Sequence, residues 1–114
     1  QSTIFTTEIM SSFAETLKTL PSVAEFSRLD LYAGEACIAS IENKPGQAGS
    51  LAVYAYLLQQ FGCINGDAAA RGLALYGEHT ADARSFPGKH PNIDRLIAIE
   101  QGGAALEGKL LPAA

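Results

Sequence analysis

The stretch Asn43–Gly62, with the sequence NKPGQAGSLAVYAYLLQQFG, decides how the rest of the chain is arranged. Its first half is a glycine-rich turn, and its second half, Ser50–Phe61, is the most apolar segment of the protein. Apolar side chains at nearly every helical angle are typical of a helix that neighbours bury on several sides. Gly62 suits the position after a helix, where a left-handed residue closes it. We therefore predict a central buried helix whose core stripe comprises Leu51, Tyr54, Ala55, Leu58 and Phe61.

A short helix is predicted before this stretch. Ser12 and Glu15 match a capping box, in which each side chain accepts a hydrogen bond from the backbone amide of the other residue. Apolar residues then recur at helical spacing, and Pro21 ends the element. Residues 1–9 are threonine-rich and have no periodicity, so we expect a disordered leader or a cloning remnant, with Met10 as the native start.

Three strands are predicted. Alternating apolar and polar residues over Ser27–Tyr32 and Glu35–Glu42 indicate a hairpin, and Gly34 supplies a positive φ at its turn. Because a lone hairpin is marginal in water, it needs a further strand or a covering helix. Ala105–Leu111 is the candidate third strand, although Gly108 weakens it as a strand former.

Two helices are predicted between the central helix and the last strand. Asp67 is the expected N-cap of the first, which continues through Ala83 on one apolar face. Pro91 or Asn92 opens the second, which ends at Gly102. The predicted class is therefore α+β: a single small domain over residues 10–114, ordered helix, β-hairpin, three helices and short strand. Its antiparallel sheet packs on the central buried helix.

Composition restricts the classes of function. The chain has 114 residues, 47% of them hydrophobic and 18% charged, which is typical of one globular domain. A net charge of −4 argues against nucleic-acid binding, which requires a basic face. No apolar run reaches the roughly 18 residues of a membrane span, so we expect a soluble cytoplasmic protein. Cys37 and Cys63 have no metal-binding spacing and are expected to be small buried thiols.

The turn Lys44–Ser50 is a candidate anion site. Free amides and the positive end of the dipole at a helix N-terminus favour a phosphate or carboxylate. The turn lacks the pattern of a known phosphate-binding loop. In the alternative interpretation, Ser50 only caps the helix and the glycines form the strand-to-helix turn. The candidate ligand-binding residues are Lys44, Gly46, Gln47, Gly49 and Ser50.

A second cluster offers acid–base chemistry. On one helix, His79 lies three residues from Asp82 and next to Glu78, so a histidine–carboxylate pair is expected there. A metal site would need a further ligand, such as His90 after the following loop folds back. The alternative is an ordinary solvated helix face, and we expect no metal and no cofactor.

The loop and helix start at Lys89–Arg95 form the best small basic cluster of the chain. Lys89, His90 and Arg95 are candidate contacts for an anion or a partner protein. A solvated loop, with the following helix opened by Pro91, is the alternative interpretation.

Two segments carry a family resemblance: Ile41–Tyr54, which contains ENKPGQAGSLAVY, and Gly88–Leu96, which reads GKHPNIDRL. Together they resemble a family of small bacterial proteins known only as a domain of unknown function. The resemblance covers most of the chain from about Met10 and implies a soluble, proteobacterial protein. It implies no activity and no catalytic residues.

Two hypotheses of function follow. The first is a non-enzymatic binding or interaction module that contacts an anionic small molecule or a partner protein through Lys44–Ser50 and Lys89–Arg95. Its high apolar fraction in a small chain also predicts a homodimer. The alternative is a small enzyme that uses His79 with Glu78 or Asp82 as acid–base or metal-binding residues.

Overall fold

The computed structural model describes residues 12–113, so the predicted leader over residues 1–9 lies outside the described residues. Within the described range there are five helices and three strands, and the strands form one antiparallel sheet, which confirms the predicted α+β class. In chain order the elements are α1 (Phe13–Leu17), β1 (Phe26–Ala33), β2 (Ala36–Glu42), α2 (Ala48–Phe61), α3 (Gly66–Leu75), α4 (Glu78–Ser85), α5 (Pro91–Glu100) and β3 (Glu107–Pro112). None of these helices is long and apolar enough to cross a membrane.

The sheet is antiparallel throughout, with β1 between β2 and β3. Leu29 of β1 lies opposite Ile41 of β2 and Leu110 of β3, so one apolar row crosses all three strands. Leu29, Leu31 and Ile41 are fully buried. The hairpin turns at Gly34 with φ of 63°. The predicted hairpin and third strand are therefore confirmed, and β3 supplies the partner that a lone hairpin lacks.

Helix α2 lies at the centre of the molecule and packs against α1, α3 and the sheet. It ends as predicted at Gly62, which adopts the left-handed conformation with φ of 81°. The predicted core stripe is only partly right, because Leu58 is half-buried and Phe61 is 37% exposed. The fully buried residues of α2 are Leu51 and Tyr54 from the predicted stripe, together with Val53 and Leu57.

Helix α2 begins two residues earlier than predicted. Gln47 occupies its N-cap position without a side-chain hydrogen bond, so the interpretation of Ser50 as the helix cap is wrong. Two main-chain bonds form this turn, because the amides of Gln47 and Ala48 both donate to the Lys44 carbonyl at 2.8 Å. Ser50 is left inside the first helical turn, where its hydroxyl is free to contact another element.

The single helix predicted from Asp67 onward is two helices. Asn65 caps α3 instead of Asp67, since its Oδ1 accepts from the Ala68 amide at 2.8 Å. The chain breaks at Gly77, whose φ of 59° is easily adopted only by glycine. Across the break, the Thr80 hydroxyl donates to the Leu73 carbonyl at 2.6 Å, satisfying a carbonyl that the broken helix leaves unpaired.

Two glycines let elements approach closely. A Cβ on Gly72 of α3 would lie 2.7 Å from Leu96 Cδ1 and 2.8 Å from Leu57 Cδ1, so the small residue allows α3 to pack between α2 and α5. A Cβ on Gly108 of β3 would lie 2.5 Å from Leu58 Cδ1. Gly108 weakens a strand in isolation, but it makes room here for a leucine of the central helix.

The two cysteines are free, and their predicted burial is wrong for Cys37, which is exposed. Cys37 pairs with Tyr32 next to the hairpin turn, where residues 33–38 are all exposed. Cys63, between α2 and α3, is half-buried.

Candidate functional site

A cleft of about 440 Å³ opens between the first turn of α2 and the loop that leads into α5. Helix α1 borders it through Phe13, and the α3–α4 junction borders it through Tyr76 and His79. The two candidate binding segments are more than 30 residues apart in sequence, and residues of both line this cleft. The sequence-predicted residues that line the cleft are Gly46, Gly49, Ser50, His79, Lys89 and His90.

The apolar wall of the cleft is built around Phe13. Its ring stacks on Tyr76 with centroids 5.1 Å apart and meets His79 edge-on at 5.3 Å. A Cβ on Gly49 would lie 3.2 Å from the Phe13 ring, so glycine allows α1 to approach α2. The predicted cap at Ser12 is present, and its hydroxyl accepts from the Glu15 amide at 3.3 Å.

Glu78 fastens α1 to the rest of the molecule. Its Oε1 accepts from the Phe13 amide at 2.9 Å, across 65 residues of sequence. Its own backbone amide and the Phe13 amide hold the pKa of the Glu78 carboxyl below its ordinary value. Glu78 therefore acts as a charged cap for α1 and does not line the cleft.

The first turn of α2 presents polar groups to the cleft. The amides of Gly49 and Ser50 have no hydrogen-bond acceptor within residues 12–113, as expected for the start of a helix. The Ser50 hydroxyl accepts a 2.7 Å hydrogen bond from Tyr76, whose phenol is buried. Desolvation raises the pKa of Tyr76 above its ordinary value, so this phenol stays neutral and remains a donor.

A histidine–carboxylate hydrogen bond lies at the edge of the cleft, and its histidine is His90. His90 Nε2 lies 2.6 Å from Asp82 Oδ2, and Lys89 Nζ lies 2.9 Å from the same oxygen. The hydrogen bond from His90, followed by that from Lys89, holds the pKa of Asp82 below its ordinary value. Because an ionised carboxylate can only accept hydrogen bonds, Nε2 of His90 carries the proton. In the neutral form of the ring, Nδ1 is then the unprotonated nitrogen.

The predicted pairing of His79 with Asp82 is not formed. His79 Nε2 is 3.9 Å from Glu78 Oε2, beyond hydrogen-bond distance, and its ring centroid lies 5.8 Å from that of His90. Asp82 turns to His90 because the intervening loop folds back through Gly88, which has φ of 95°. The Gly88 amide donates to Asp94 at 2.8 Å and holds this turn against α5.

Three candidate binding residues lie away from the cleft. Lys44 pairs with Glu42 at 3.0 Å, and the Gln47 side chain accepts from the Glu42 amide at 3.2 Å. Arg95 donates internally to Tyr54 at 3.1 Å and to Asn92 at 2.8 Å. In the described part of the chain, no group of three or more His, Cys, Asp or Glu residues has a metal-binding arrangement.

Phe13 and Tyr76 line the cleft but are not among the candidate ligand-binding residues that the sequence indicates. Both occupy apolar positions of helical stripes, which assigned them to the core. A usable signal was the phenol of Tyr76, since a buried tyrosine hydroxyl needs a polar partner, which here is Ser50.

A sequence model of a bacterial family, described as an uncharacterized protein conserved in bacteria (DUF2322), matches residues 13–110. The match includes every residue that lines the cleft and confirms the resemblance drawn from the two sequence segments. No curated protein and no solved structure matches the chain.

Proposed function

We propose that this chain, which belongs to the bacterial DUF2322 family, binds a small anionic molecule in the cleft between α2 and the loop before α5. One observation carries the proposal: residues from both candidate segments, Lys44–Ser50 and Lys89–Arg95, border a single cleft. A volume of about 440 Å³ falls in the range of small-ligand pockets, roughly 300–1,000 Å³.

The anion would lie against the first turn of α2. Two amides without acceptors, at Gly49 and Ser50, donate there, and the helix dipole adds a partial positive charge. Lys89 contributes less than a free lysine because Asp82 neutralises it at 2.9 Å. We therefore expect selectivity for small anions of one or two charges, with an apolar part resting on Phe13.

Thermal melts and calorimetric titration with inorganic phosphate, acetate and nucleoside monophosphates test the proposal. A ligand at about 100 times its dissociation constant adds roughly 2.7 kcal/mol to stability, a rise in melting temperature on the order of ten degrees for a domain of this size. Divalent metals are included as a separate arm, since a metal-dependent shift lost in His79→Ala would favour a metal site.

Lys89→Ala and Lys44→Ala form a matched pair of lysine removals. The first removes a cation from the cleft and exposes the Asp82 charge, so anion affinity should fall at least several-fold. The second removes a cation whose partner is Glu42, outside the cleft, and should leave affinity nearly unchanged. Equal losses in both variants, or no heat with any anion, would reject the cleft as the anion site.

A protein partner is the second candidate, in the form of another copy of this chain. It is favoured by the edge position of β2 and by Ile38 on that strand, which is 51% exposed. We keep a cytoplasmic homodimer as part of the proposal. A monomeric mass by light scattering at working concentration would remove the dimer.

A further inference from the structure

We propose that the cleft also hydrolyses a small carboxylic ester, with His90 as general base and Asp82 as the residue that positions it. The inference rests on the proposed function, because substrate and anion would occupy the same cleft. It starts from the 2.6 Å hydrogen bond between the His90 ring and the Asp82 carboxylate at the cleft wall.

The His90–Asp82 pair presents a base of defined orientation. Nε2–H is donated to Asp82, which leaves Nδ1 as the proton acceptor of the neutral ring. Among residues 12–113, Nδ1 has no hydrogen-bond partner of its own. The side chain is only 25% exposed, so packing and the carboxylate together restrict its orientation. A positioned base of this kind typically accelerates a reaction by roughly 10²–10⁴-fold.

Water is the nucleophile that the cleft favours. Ser50, the one hydroxyl in the first turn of α2, is already bound by the Tyr76 phenol. Both cysteines lie outside the cleft, and the Lys89 amine is paired with Asp82 at 2.9 Å. The His90 side chain is 25% exposed, so water can reach the base from the cleft.

The step balances without a further reactant. His90 Nδ1 takes a proton from water while the water oxygen bonds to the acyl carbon, whose carbonyl oxygen becomes an oxyanion. The amides of Gly49 and Ser50 border the same cleft and are available to stabilise that charge. The bond from the acyl carbon to the leaving oxygen then breaks, and the His90 imidazolium returns its proton to that oxygen. The products are a carboxylic acid and an alcohol.

Hydrolysis of 4-nitrophenyl acetate at neutral pH, compared with free imidazole at equal concentration, tests the inference. Wild-type protein should show saturation and exceed imidazole, and phosphate should inhibit competitively. His90→Gln keeps a donor for Asp82 but removes the base, so kcat/KM should fall roughly 100-fold or more. Imidazole added to His90→Ala should restore part of the rate. Arg71→Ala, on the exposed side of α3, should behave as wild type.

Asp82 is tested by separating kcat from KM. Asp82→Asn should lower kcat with little change in KM and with an unchanged circular dichroism spectrum, and Asp82→Glu should recover part of the loss. A merely structural role would instead lower the fraction of active protein without changing the kcat of the rest.

Three outcomes would overturn the inference: a wild-type rate no greater than that of imidazole, full activity in His90→Gln, or hydrolysis of 4-nitrophenyl phosphate but not of the acetate. If calorimetry still detects phosphate binding in the first two cases, only the hydrolysis is rejected. If binding is absent as well, both the inference and the proposed function fail.

Discussion

The helix crossing at Gly72 and the cleft at Phe13 each place a glycine under a large side chain, but only the crossing is fully packed. At the crossing, α3 packs between α2 and α5 with leucines that are completely buried, and a glycine is needed because no further atom fits. At the cleft, α1 reaches the first turn of α2 over Gly49, but imidazoles, a lysine and two amides remain accessible. The same feature, a glycine under a large side chain, therefore closes the crossing and leaves the cleft open.

Truncation of the central helix should show the largest effect. Leu57→Ala removes a fully buried side chain from the crossing, so the free energy of unfolding should fall by roughly 2–5 kcal/mol. Leu58→Ala is the control on the next residue; because Leu58 is half-buried over Gly108, its loss should stay below about 2 kcal/mol. Chemical denaturation measures both. Equal losses would contradict the assignment of Leu57 to the crossing.

Filling the crossing should show an intermediate effect. Gly72→Ala gains about 0.5–1 kcal/mol from reduced backbone freedom, but overpacking costs about 1–3 kcal/mol, so stability should fall. Gly66→Ala adds the same atom to the start of the same helix, where nothing lies within 4 Å. It should be neutral or stabilising by up to about 1 kcal/mol. Stabilisation by both substitutions would show that the crossing is loosely packed.

The smallest effect on stability is expected for two carboxylates, Asp82 at the cleft and Asp30 on the sheet. Their pKa values nevertheless report on the two regions independently. Hydrogen bonds from His90 in the cleft and from Ser40 on the sheet are the main causes that lower the pKa of Asp82 and Asp30 below the ordinary 3.8. A carboxyl whose folded pKa is lowered stabilises the fold above its ordinary pKa. That contribution is lost as the pH falls through the folded value.

Carboxyl chemical shifts followed by NMR during an acid titration measure these two pKa values. His90→Ala should raise the pKa of Asp82 toward 3.8 and leave that of Asp30 unchanged. Ser40→Ala should do the reverse. An Asp82 pKa that does not respond to His90→Ala would contradict the pairing on which the inferred hydrolysis depends.

Local pattern was sufficient for most elements of the fold. The alternation at Leu29 and Leu31, the cap at Ser12 and the closing Gly62 each act within a few residues, so the hairpin, the start of α1 and the end of α2 follow from sequence. Helix α1 ends at Leu17, before the stop predicted at Pro21. The division of α3 from α4 did not follow. Gly77 is tolerated in a helix pattern, and only the packing of Thr80 back onto Leu73 makes the break the better solution.

Only part of the candidate site could be predicted from sequence, because local pattern does not fix the tertiary partners of a side chain. Gly49 and Ser50 follow from the chemistry of a helix start, and Lys89 and His90 from a basic loop. Lys44 and Arg95 carry the expected charge, but their partners Glu42 and Tyr54 hold them elsewhere. The choice of partner for a side chain on the surface depends on which elements meet, which local spacing does not encode.

Sequence alone determined that this is a small α+β domain organised around Asn43–Gly62, because periodicity, capping and turn chemistry are local properties of the chain. Tertiary structure alone decided that the turn before α2 and the loop before α5 face one cleft, and that Asp82 pairs with His90 instead of His79. The first outcome depends on contacts between residues far apart in sequence, because α1 rests on Gly49 and is capped by Glu78. The second depends on the loop folding back at Gly88, which the spacing of residues along one helix does not encode.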